Sequence, residues 1–403
     1  MSIYPLPTIN NNIEQDDLKI KFIEHKPNNY ISKTLSFYLN KVKARIDKYS
    51  IEWDAFKKIT NNYEYIHTMI PNSKYSISKL KPLSRAFYKL VEICNTFNLL
   101  EKFENNNIIS FHLAEGPGGF IEATNFIRKN KNDKYFAITL IDEDNDNIPG
   151  WKKSGLFLRK NKNIIIEKGL EGKGDLYNPE NYKHYYRIFK NKVDFITADG
   201  GFDFSIDFNN QENMAVRLIF TEVIYAISMQ KQGGCFVLKL FDIFLKSSVD
   251  IIYLLCTMYN SVSIFKPNTS RIANSERYII CDGFKYDNTD HLYNKFYTLL
   301  KVLNHKSMNA SFIYSIFNIE YPYKFKQTIE EINSIIGSEQ IDNIQTTIRF
   351  IENKERRGEK IQQKRDNNIQ KCISWCIKNK IPHNKIQQNT NIFMNNRKIG
   401  IIN

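Results

Sequence analysis

The spacing of hydrophobic positions changes along the chain and divides it into three parts. In residues 33–46 and 53–70 apolar side chains recur at steps of three and four residues, which predicts amphipathic helices. Pro71 and the polar residues after it mark a break. We therefore expect a polar, helical N-terminal extension over residues 1–74.

The middle part, residues 75–290, alternates short β-branched and aromatic runs with helical stretches. Helical patterns cover residues 211–231 and 247–259, for example. This alternation is typical of an α/β fold with a largely parallel sheet, in which ligands lie beyond the carboxyl ends of the strands. The predicted strands are seven runs, at residues 108–114, 134–141, 163–168, 193–199, 234–241, 261–266 and 277–284.

The third part, residues 291–403, loses the strand pattern and predicts a helical, basic C-terminal region. Residues 341–403 hold 13 Lys plus Arg and 5 Asp plus Glu, which is more than half of the chain's net charge of +14. Residues 349–371 predict a solvated basic helix. Its charge is compatible with RNA contact or with an ordinary exposed helical face.

The positive charge favours a polyanionic partner, either nucleic acid or an anionic membrane face. A compositional origin stays open, because Asn, Ile, Lys, Tyr and Phe are all abundant, as in proteins encoded by AT-rich genes. No apolar run approaches the roughly 18 residues of a membrane span, so we expect no membrane partner. The N-terminus lacks the basic and apolar segments of a signal peptide.

The cysteines read as core residues rather than as a disulfide or zinc framework. Four of them lie inside apolar runs, and Cys372 and Cys376 stand near His383 without a complete set of zinc ligands. Scattered cysteines of this kind suggest a reducing compartment.

The run FHLAEGPGGFIEA, residues 111–123, lies where the first predicted strand passes into a helix. Its glycines would let a ligand approach the backbone and the free N–H groups of the helix start. The spacing differs from the dinucleotide-binding pattern G-x-G-x-x-G. A tight turn without a ligand is the alternative.

Polar residues stand at the ends of three later strands. Asp199 follows VDFITA, Lys239 lies inside the apolar run GGCFVLKLF, and Glu276 precedes the strand RYIIC. A lysine in an apolar strand is costly unless it is paired. A salt bridge from Lys239 to Asp199 would satisfy that need alone, but a desolvated lysine with a lowered pKa would also serve as a base.

Five motifs in this order resemble the FtsJ-like family of S-adenosylmethionine-dependent ribose 2′-O-methyltransferases, and within it the cap-specific mRNA enzymes of eukaryotes and large DNA viruses. They are SRAFYKL, AEGPGGF, ADGGF, GGCFVLKLFD and KPNTSRIANSERYIIC; GKGDLYNPENY and NNQENMAVRL fit the same subgroup. The resemblance covers about 75–285 and implies a Rossmann-like methyltransferase sheet. The flanks, 1–70 and 290–403, match no family by inspection.

The resemblance implies a catalytic tetrad of Lys89, Asp199, Lys239 and Glu276. Without it, Lys89 would be an ordinary helix lysine. It implies that S-adenosylmethionine is the cofactor, held by Ser84, Ala114, Glu115, Gly116, Pro117, Gly118, Gly119, Phe120 and Asp175. Asp142 is the expected ribose ligand, with Glu143 and Asp144 as alternatives. The implied RNA contacts are Arg85, Asn213, Ser270, Arg271 and Asn274. The segment between Asp199 and Gln211 is a little longer than the usual form, which bears on the alignment of Asn213.

The implied reaction is methyl transfer to a 5′-terminal nucleotide of capped mRNA, with Lys239 as the base and without a metal. Burial and the nearby Lys89 are expected to lower the pKa of Lys239.

Alternative functions are those of an rRNA or tRNA methyltransferase and of a non-catalytic RNA-binding subunit. Further partners would be capping or transcription proteins. A viral enzyme would act in the cytoplasm, in a virus factory or a virion, and a cellular one in the nucleus.

Overall fold

The computed structural model describes residues 3–11, 13–142, 144–145, 148–201, 210–305, 311–356, 358–388 and 399–402. The strands are β1 Ile3–Pro5, β2 Leu18–Ile23, β3 Ile109–Leu113, β4 Lys134–Ile138, β5 Ile164–Glu167, β6 Val193–Ala198, β7 Gln230–Leu240, β8 Tyr259–Phe265, β9 Arg277–Phe284, β10 Phe312–Phe317, β11 Lys385–Gln388 and β12 Ile399–Ile402. The α-helices are α1 Lys33–Ala44, α2 Ser50–Thr60, α3 Ala86–Phe97, α4 Gly119–Arg128, α5 Gly155–Lys160, α6 Pro179–Phe189, α7 Gln211–Met229, α8 Lys246–Met258, α9 Asp290–Asn304, α10 Tyr323–Glu352 and α11 Gly358–Lys378. Short 3₁₀ turns lie at Asp47–Tyr49, Glu64–Ile66 and Glu101–Phe103.

The central sheet has eight strands in the order β1-β8-β9-β7-β6-β3-β4-β5. Strands β5, β4, β3, β6 and β7 are parallel, and β9 runs antiparallel between β7 and β8. The predicted α/β fold and all seven predicted strands are confirmed. The order reverses between β3 and β6, so the ligand crevice of such a sheet is expected at their carboxyl ends.

The eighth strand, β1, was not predicted. It pairs antiparallel with β8, with Tyr4 opposite Ile264. A three-residue strand is too short to show a hydrophobic period. The N-terminal extension also contains β2, which pairs with β10 beyond residue 290. The helices predicted for both extensions are present, and β2 and β10 are additional strands that were not predicted, although the alternation in β2 and the apolar run in β10 are strand patterns.

Both faces of the sheet are buried, and alternate side chains of each strand enter different apolar clusters. On β7, Phe236 and Leu238 pack with α7 and α8, whereas Cys235 and Val237 pack with α3 and α4. This alternation follows from the two-residue period of a strand. It places Lys239 on the same face as α3.

The C-terminal region packs against the rest of the chain. Residues 349–371, predicted as one basic helix, contain the end of α10 at Glu352 and the start of α11 at Gly358. Helix α11 is not solvated all round, because Ile369, Cys372 and Trp375 are buried in the cluster that holds α3. All six cysteines are buried and free, as expected of core residues. Among the described helices, none has the length and apolar character to span a membrane.

Candidate active site

The sheet topology brings the predicted tetrad to one edge. Asp199 follows β6, and Lys239 is the penultimate residue of β7. Glu276 precedes β9, which runs antiparallel to β7, so the start of β9 lies at the carboxyl edge of the parallel strands. Lys89, from the first half of α3, reaches the same edge because α3 packs on the face of the sheet that carries Lys239.

Each lysine of the tetrad is paired with a carboxylate. Lys89 Nζ lies 2.8 Å from Glu276 Oε2, and Lys239 Nζ lies 3.3 Å from Asp199 Oδ1. Lys239 also donates to the main-chain oxygen of Asp199 at 2.6 Å. The four side chains are 8–15% exposed, so the pairs are largely shielded from water but open on one side. The salt bridge between Lys239 and Asp199 that the sequence suggested is present, and Lys89 pairs with Glu276 in addition.

Two neighbours hold the tetrad carboxylates: Tyr278, which the sequence did not single out, and Ser270, which it predicted as an RNA contact. The Tyr278 hydroxyl donates to Asp199 Oδ1 at 2.8 Å, and Ser270 Oγ donates to Glu276 Oε1 at 2.8 Å. Tyr278 stands opposite Lys239 in the pairing of β9 with β7. A tyrosine two residues after Glu276 was the available sequence signal, because i and i+2 share one face of a strand.

Lys266 is a third supporting residue that sequence reasoning missed. Its Nζ donates to the main-chain oxygens of Asn274 and Glu276, both at 2.7 Å, and to Asn274 Oδ1 at 3.1 Å. All three ammonium protons are thus used to fix the chain around Glu276. Burial, with Arg277 nearby, lowers the pKa of Lys266 to about 7.

The electrostatics correct one expectation about the base. Burial lowers the pKa of Lys239, but Asp199 and Glu276 outweigh it, and the net pKa is raised above its ordinary value. For Lys89 burial dominates and the pKa is lowered. Burial favours the neutral form of Glu276, yet Lys89 and Lys239 hold its pKa well below the usual range. The predicted lowering of the Lys239 pKa is therefore wrong for this geometry.

The glycine-rich turn between β3 and α4 has a backbone that larger residues would not adopt. Gly118 caps α4 with a φ of 110°, and Ala114 also has a positive φ, of 48°. A Cβ on Gly119 would come within 2.2 Å of Ser84 Oγ. Ser84 therefore lies beside the turn, as the predicted cofactor site requires.

Glu115, in this turn, has one carboxyl oxygen that is hydrogen-bonded and one that is not. Its Oε1 accepts from the backbone N–H groups of Phe120 and Ile121 at 2.7 and 2.9 Å. Its Oε2 is buried and has no hydrogen-bond partner among the described residues. Burial raises the pKa of Glu115 to about 8. A buried polar atom without a partner fits a site for a polar ligand, such as the amino-acid end of S-adenosylmethionine.

The acidic candidates for the adenosine end differ in their surroundings. Asp175 is half-buried, and its Oδ1 accepts from the Tyr177 backbone N–H at 2.8 Å. Asp142 is exposed and accepts from the Asp144 backbone N–H at 3.1 Å. Glu143 lies outside the described residues. The roles of Asp142 and Asp144 as ribose ligands stay predictions.

The predicted RNA contacts lie around the tetrad, but several already have partners in the chain. Arg271 donates to the buried Glu64 at 2.7 and 3.1 Å, and Arg85 donates to the Thr269 carbonyl at 3.1 Å. Ser270 and Asn274 belong to the network of Lys266 and Glu276 described above. Their contact with RNA stays a prediction.

Asn213, the remaining predicted RNA contact, lies in the first turn of α7. Its side chain donates to Asn210 Oδ1 at 3.2 Å. Most of the slightly longer segment between Asp199 and Gln211, residues 202–209, lies outside the described residues. Its role also stays a prediction.

Comparison with known proteins identifies the family of the central part of the chain. Residues 82–284, half of the chain, match the sequence model of the family described as FtsJ-like methyltransferase. The chain belongs to this family. The match covers the tetrad, the glycine-rich turn and the strands that carry them, and it leaves both extensions outside the methyltransferase match.

Relatives of this methyltransferase carry cap-specific names. It is 35% identical over 194 residues to cap-specific mRNA (nucleoside-2′-O-)-methyltransferase 1 of Mus musculus, covering 46% of this chain and 23% of the relative. It is 31% identical over 268 residues to cap-specific mRNA (nucleoside-2′-O-)-methyltransferase 2 of Drosophila melanogaster, and the match covers 62% of this chain and 37% of the relative. It is 29% identical over 333 residues to cap-specific mRNA (nucleoside-2′-O-)-methyltransferase 2 of Danio rerio, and the match covers 78% of this chain and 43% of the relative. The chain thus spans less than half of each of these relatives.

A second buried carboxyl near the tetrad predicts how stability of the methyltransferase depends on pH. Glu222 on α7 is 1% exposed and lies against Gly200, just after Asp199. Burial raises its pKa to about 8 from an ordinary 4.5. Between these values the folded state keeps a proton that the unfolded state has lost. The free energy of unfolding therefore falls as pH rises, by about 1.4 kcal/mol per pH unit for one such group.

We expect the Glu222→Gln variant to lose less free energy of unfolding between pH 5.5 and 7.5 than the parent does. Glutamine cannot ionise, so the contribution of Glu222 disappears while that of Glu115 remains. Urea unfolding at several pH values would measure the slope. The exposed Glu104→Gln substitution is the control and should follow the parent. Equal slopes for Glu222→Gln and the parent would contradict the assignment.

Proposed function

We propose that this chain transfers a methyl group from S-adenosylmethionine to the ribose 2′-hydroxyl of a 5′-terminal nucleotide of capped mRNA. The observation that carries the proposal is the pair of lysine–carboxylate contacts, Lys89 with Glu276 and Lys239 with Asp199, at the carboxyl edge of the sheet. Family membership supports the reaction class, and the names of the relatives support the capped substrate.

The cofactor supplies an electrophilic methyl group on a sulfonium centre. Residues 114–120 would hold its methionine end, where Glu115 has an unpaired buried oxygen, and Asp175 would lie near its adenosine. These residues leave the tetrad free to act on the sugar hydroxyl.

In this proposal Lys239 accepts the proton of the 2′-hydroxyl. The Lys239 amine contacts the main-chain oxygen and Oδ1 of Asp199. The Tyr278 hydroxyl in turn donates a hydrogen bond to Asp199 Oδ1. Because the pKa of Lys239 is raised, only a small fraction is deprotonated at neutral pH. Orientation of the hydroxyl by the Lys89–Glu276 pair therefore carries part of the rate enhancement, and positioning supplies up to about 7–11 kcal/mol in favourable systems.

RNA binding and location follow as parts of the same proposal. The net charge of +14 supports a polyanionic substrate, and capping or transcription proteins are proposed as further partners. A viral enzyme would work in the cytoplasm and a cellular one in the nucleus.

The decisive experiment incubates the full chain with labelled S-adenosylmethionine and matched capped and uncapped RNAs, followed by mass spectrometry of the 5′-terminal nucleotides. We expect label on the ribose of capped RNA only. Equal label on uncapped RNA would favour an rRNA or tRNA enzyme, and no label on either would favour a non-catalytic subunit. The isosteric Glu276→Gln variant is the control and should lose the label, because it removes the negative charge that pairs with Lys89.

A further inference from the structure

A cavity of about 580 Å³ opens beside the active site and is lined mainly by residues 67–88. We call it the lysine groove and define it by His67, Lys74, Tyr75, Lys79, Lys81 and Arg85. It begins at Ser84 and Arg85, where Ser84 borders the glycine-rich turn and Arg85 interacts electrostatically with Glu276. Most of its lining precedes the part of the chain that matches the family.

The charge of the lysine groove has one sign. No carboxylate lines it, and Lys74, Lys79 and Lys81 are exposed and make no ion pair with any described residue. Some surface lysines elsewhere are paired, as Lys190 is with Asp290 and Lys354 with Glu52. Unpaired cations along a groove are the arrangement that neutralises a run of phosphates.

Tyr75 adds a stacking surface among these cations. Its side chain is 52% exposed at the groove wall, with Lys74 before it in sequence. Aromatic side chains within a basic groove bind single-stranded RNA without strict sequence preference, because every base has a face to stack.

The wall of the groove is held by the C-terminal region. The Lys79 backbone N–H donates to the Pro382 carbonyl, and the Asn384 backbone N–H donates to the Ile77 carbonyl, both at 2.9 Å. Asn384 Nδ2 also donates to the Ser76 carbonyl at 2.9 Å. The segment that carries Lys79 and Tyr75 is therefore fixed before a ligand arrives, which reduces the entropy lost on binding.

Another large cavity of the described chain has a different character. It measures about 450 Å³ and is lined by two lysines, Lys266 and Lys364, and two carboxylates, Glu339 and Asp342. Because the two positive and two negative side chains balance, this cavity does not favour binding of a polyanion. The comparison singles out the lysine groove as the surface for a phosphate backbone.

We propose that the lysine groove binds the single-stranded RNA on the 3′ side of the reacting ribose, with Tyr75 stacked on a base and the three lysines on phosphates. The 3′ side is favoured because the RNA chain there supplies one phosphate and one base per nucleotide, which matches the spaced lysines and Tyr75 of the groove. This inference rests on the proposed function, since it assigns the path of that substrate.

The test measures KM and kcat of the full chain for capped RNAs that share a 5′ end and contain two to twelve nucleotides. We expect KM to fall with length in the parent. In the Lys74→Gln/Lys79→Gln/Lys81→Gln variant this gain should vanish, so that KM for the longest RNA rises about tenfold while KM for the two-nucleotide RNA stays unchanged. The dependence of affinity on salt should weaken by about three phosphate contacts, each worth roughly 0.7 in the logarithmic slope.

The control removes the same charge from the opposite edge of the sheet. Lys131, Lys134 and Lys162 are exposed and lie at the amino ends of β4 and β5, and their replacement by Gln should leave the length dependence intact. Tyr75→Ala should raise KM for long RNA, whereas Tyr75→Phe keeps the ring and should not.

Three outcomes would overturn the inference: unchanged length dependence in the groove variant, an equal loss in the control variant, or an equal loss on the two-nucleotide RNA. Absence of methyl transfer by the parent on every RNA would instead refute the proposed function. In that case fluorescence anisotropy with uncapped twelve-nucleotide RNA still tests the groove, because the parent should bind more tightly than the groove variant.

Discussion

Replacement of Lys239 by methionine is expected to lower the rate of methyl transfer by roughly 10²–10⁴-fold, the usual contribution of a positioned acid or base. Methionine fills similar space but cannot accept a proton. Single-turnover measurements on capped RNA would give the rate. Cofactor affinity, measured by calorimetry, should stay within experimental error, because Lys239 lies at the sugar side of the proposed site and the turn at residues 114–120 is untouched.

The matched control for this substitution is Lys231→Met on the same strand. Lys231 lies at the other end of β7, is 57% exposed and pairs with Asp194, so its loss should leave the rate unchanged. In the parent the rate should rise toward alkaline pH, because the raised pKa of Lys239 leaves little free amine at neutral pH. Retention of most of the activity by a folded Lys239→Met variant would refute the assignment of the base.

The largest effect on stability is expected from Asp242→Ala. Asp242 binds Lys43 of α1 at 2.8 Å and Arg277 of β9 at 3.1 Å, and the three side chains are 1–9% exposed. Arg277 also donates to Asn333 of α10 at 3.2 Å. Removal of the carboxylate leaves two buried cations without their anion, which should cost about 3–5 kcal/mol of the free energy of unfolding. Urea denaturation monitored by circular dichroism would measure it.

Asp54→Ala provides the comparison for an exposed ion pair. Asp54 is 75% exposed and contacts Lys57 within α2, so its removal should change the free energy of unfolding by less than about 0.5 kcal/mol. Simultaneous replacement of Lys43, Asp242 and Arg277 by apolar residues should recover part of the loss, because no unpaired charge remains. A loss for Asp242→Ala no greater than that for Asp54→Ala would contradict the account.

The sequence was sufficient for the fold of the central part and for three of the four residues that meet at the carboxyl edge of the sheet. The buried strands show as continuous apolar runs, and Asp199, Lys239 and Glu276 stand at their ends, where the crevice of a parallel sheet must lie. Lys89 needed the family resemblance, because nothing in its helix distinguishes it from a surface lysine. The structure then adds the pairing of Lys89 with Glu276, which no sequence pattern indicates.

The sign of the Lys239 pKa shift was not predictable from the sequence in the same way. It depends on the distances to Asp199, Glu276 and Glu222, and Glu222 reaches the site from the middle of an apolar helix. Electrostatic balance of this kind is decided by tertiary packing rather than by neighbours in the chain. The same limit applies to the lysine groove, whose wall at Lys79 pairs with a segment some 300 residues later.

The short strand β1 has a consequence for handling the protein. It covers the carboxyl half of β8, and the Leu6 N–H continues the pairing to Val262 at 2.9 Å. Pro5 has no N–H to offer a further strand, so this border is a poor template for another molecule. A chain shortened by its first six residues would present the bare backbone of β8 instead, and self-association during purification would follow from that loss of edge protection.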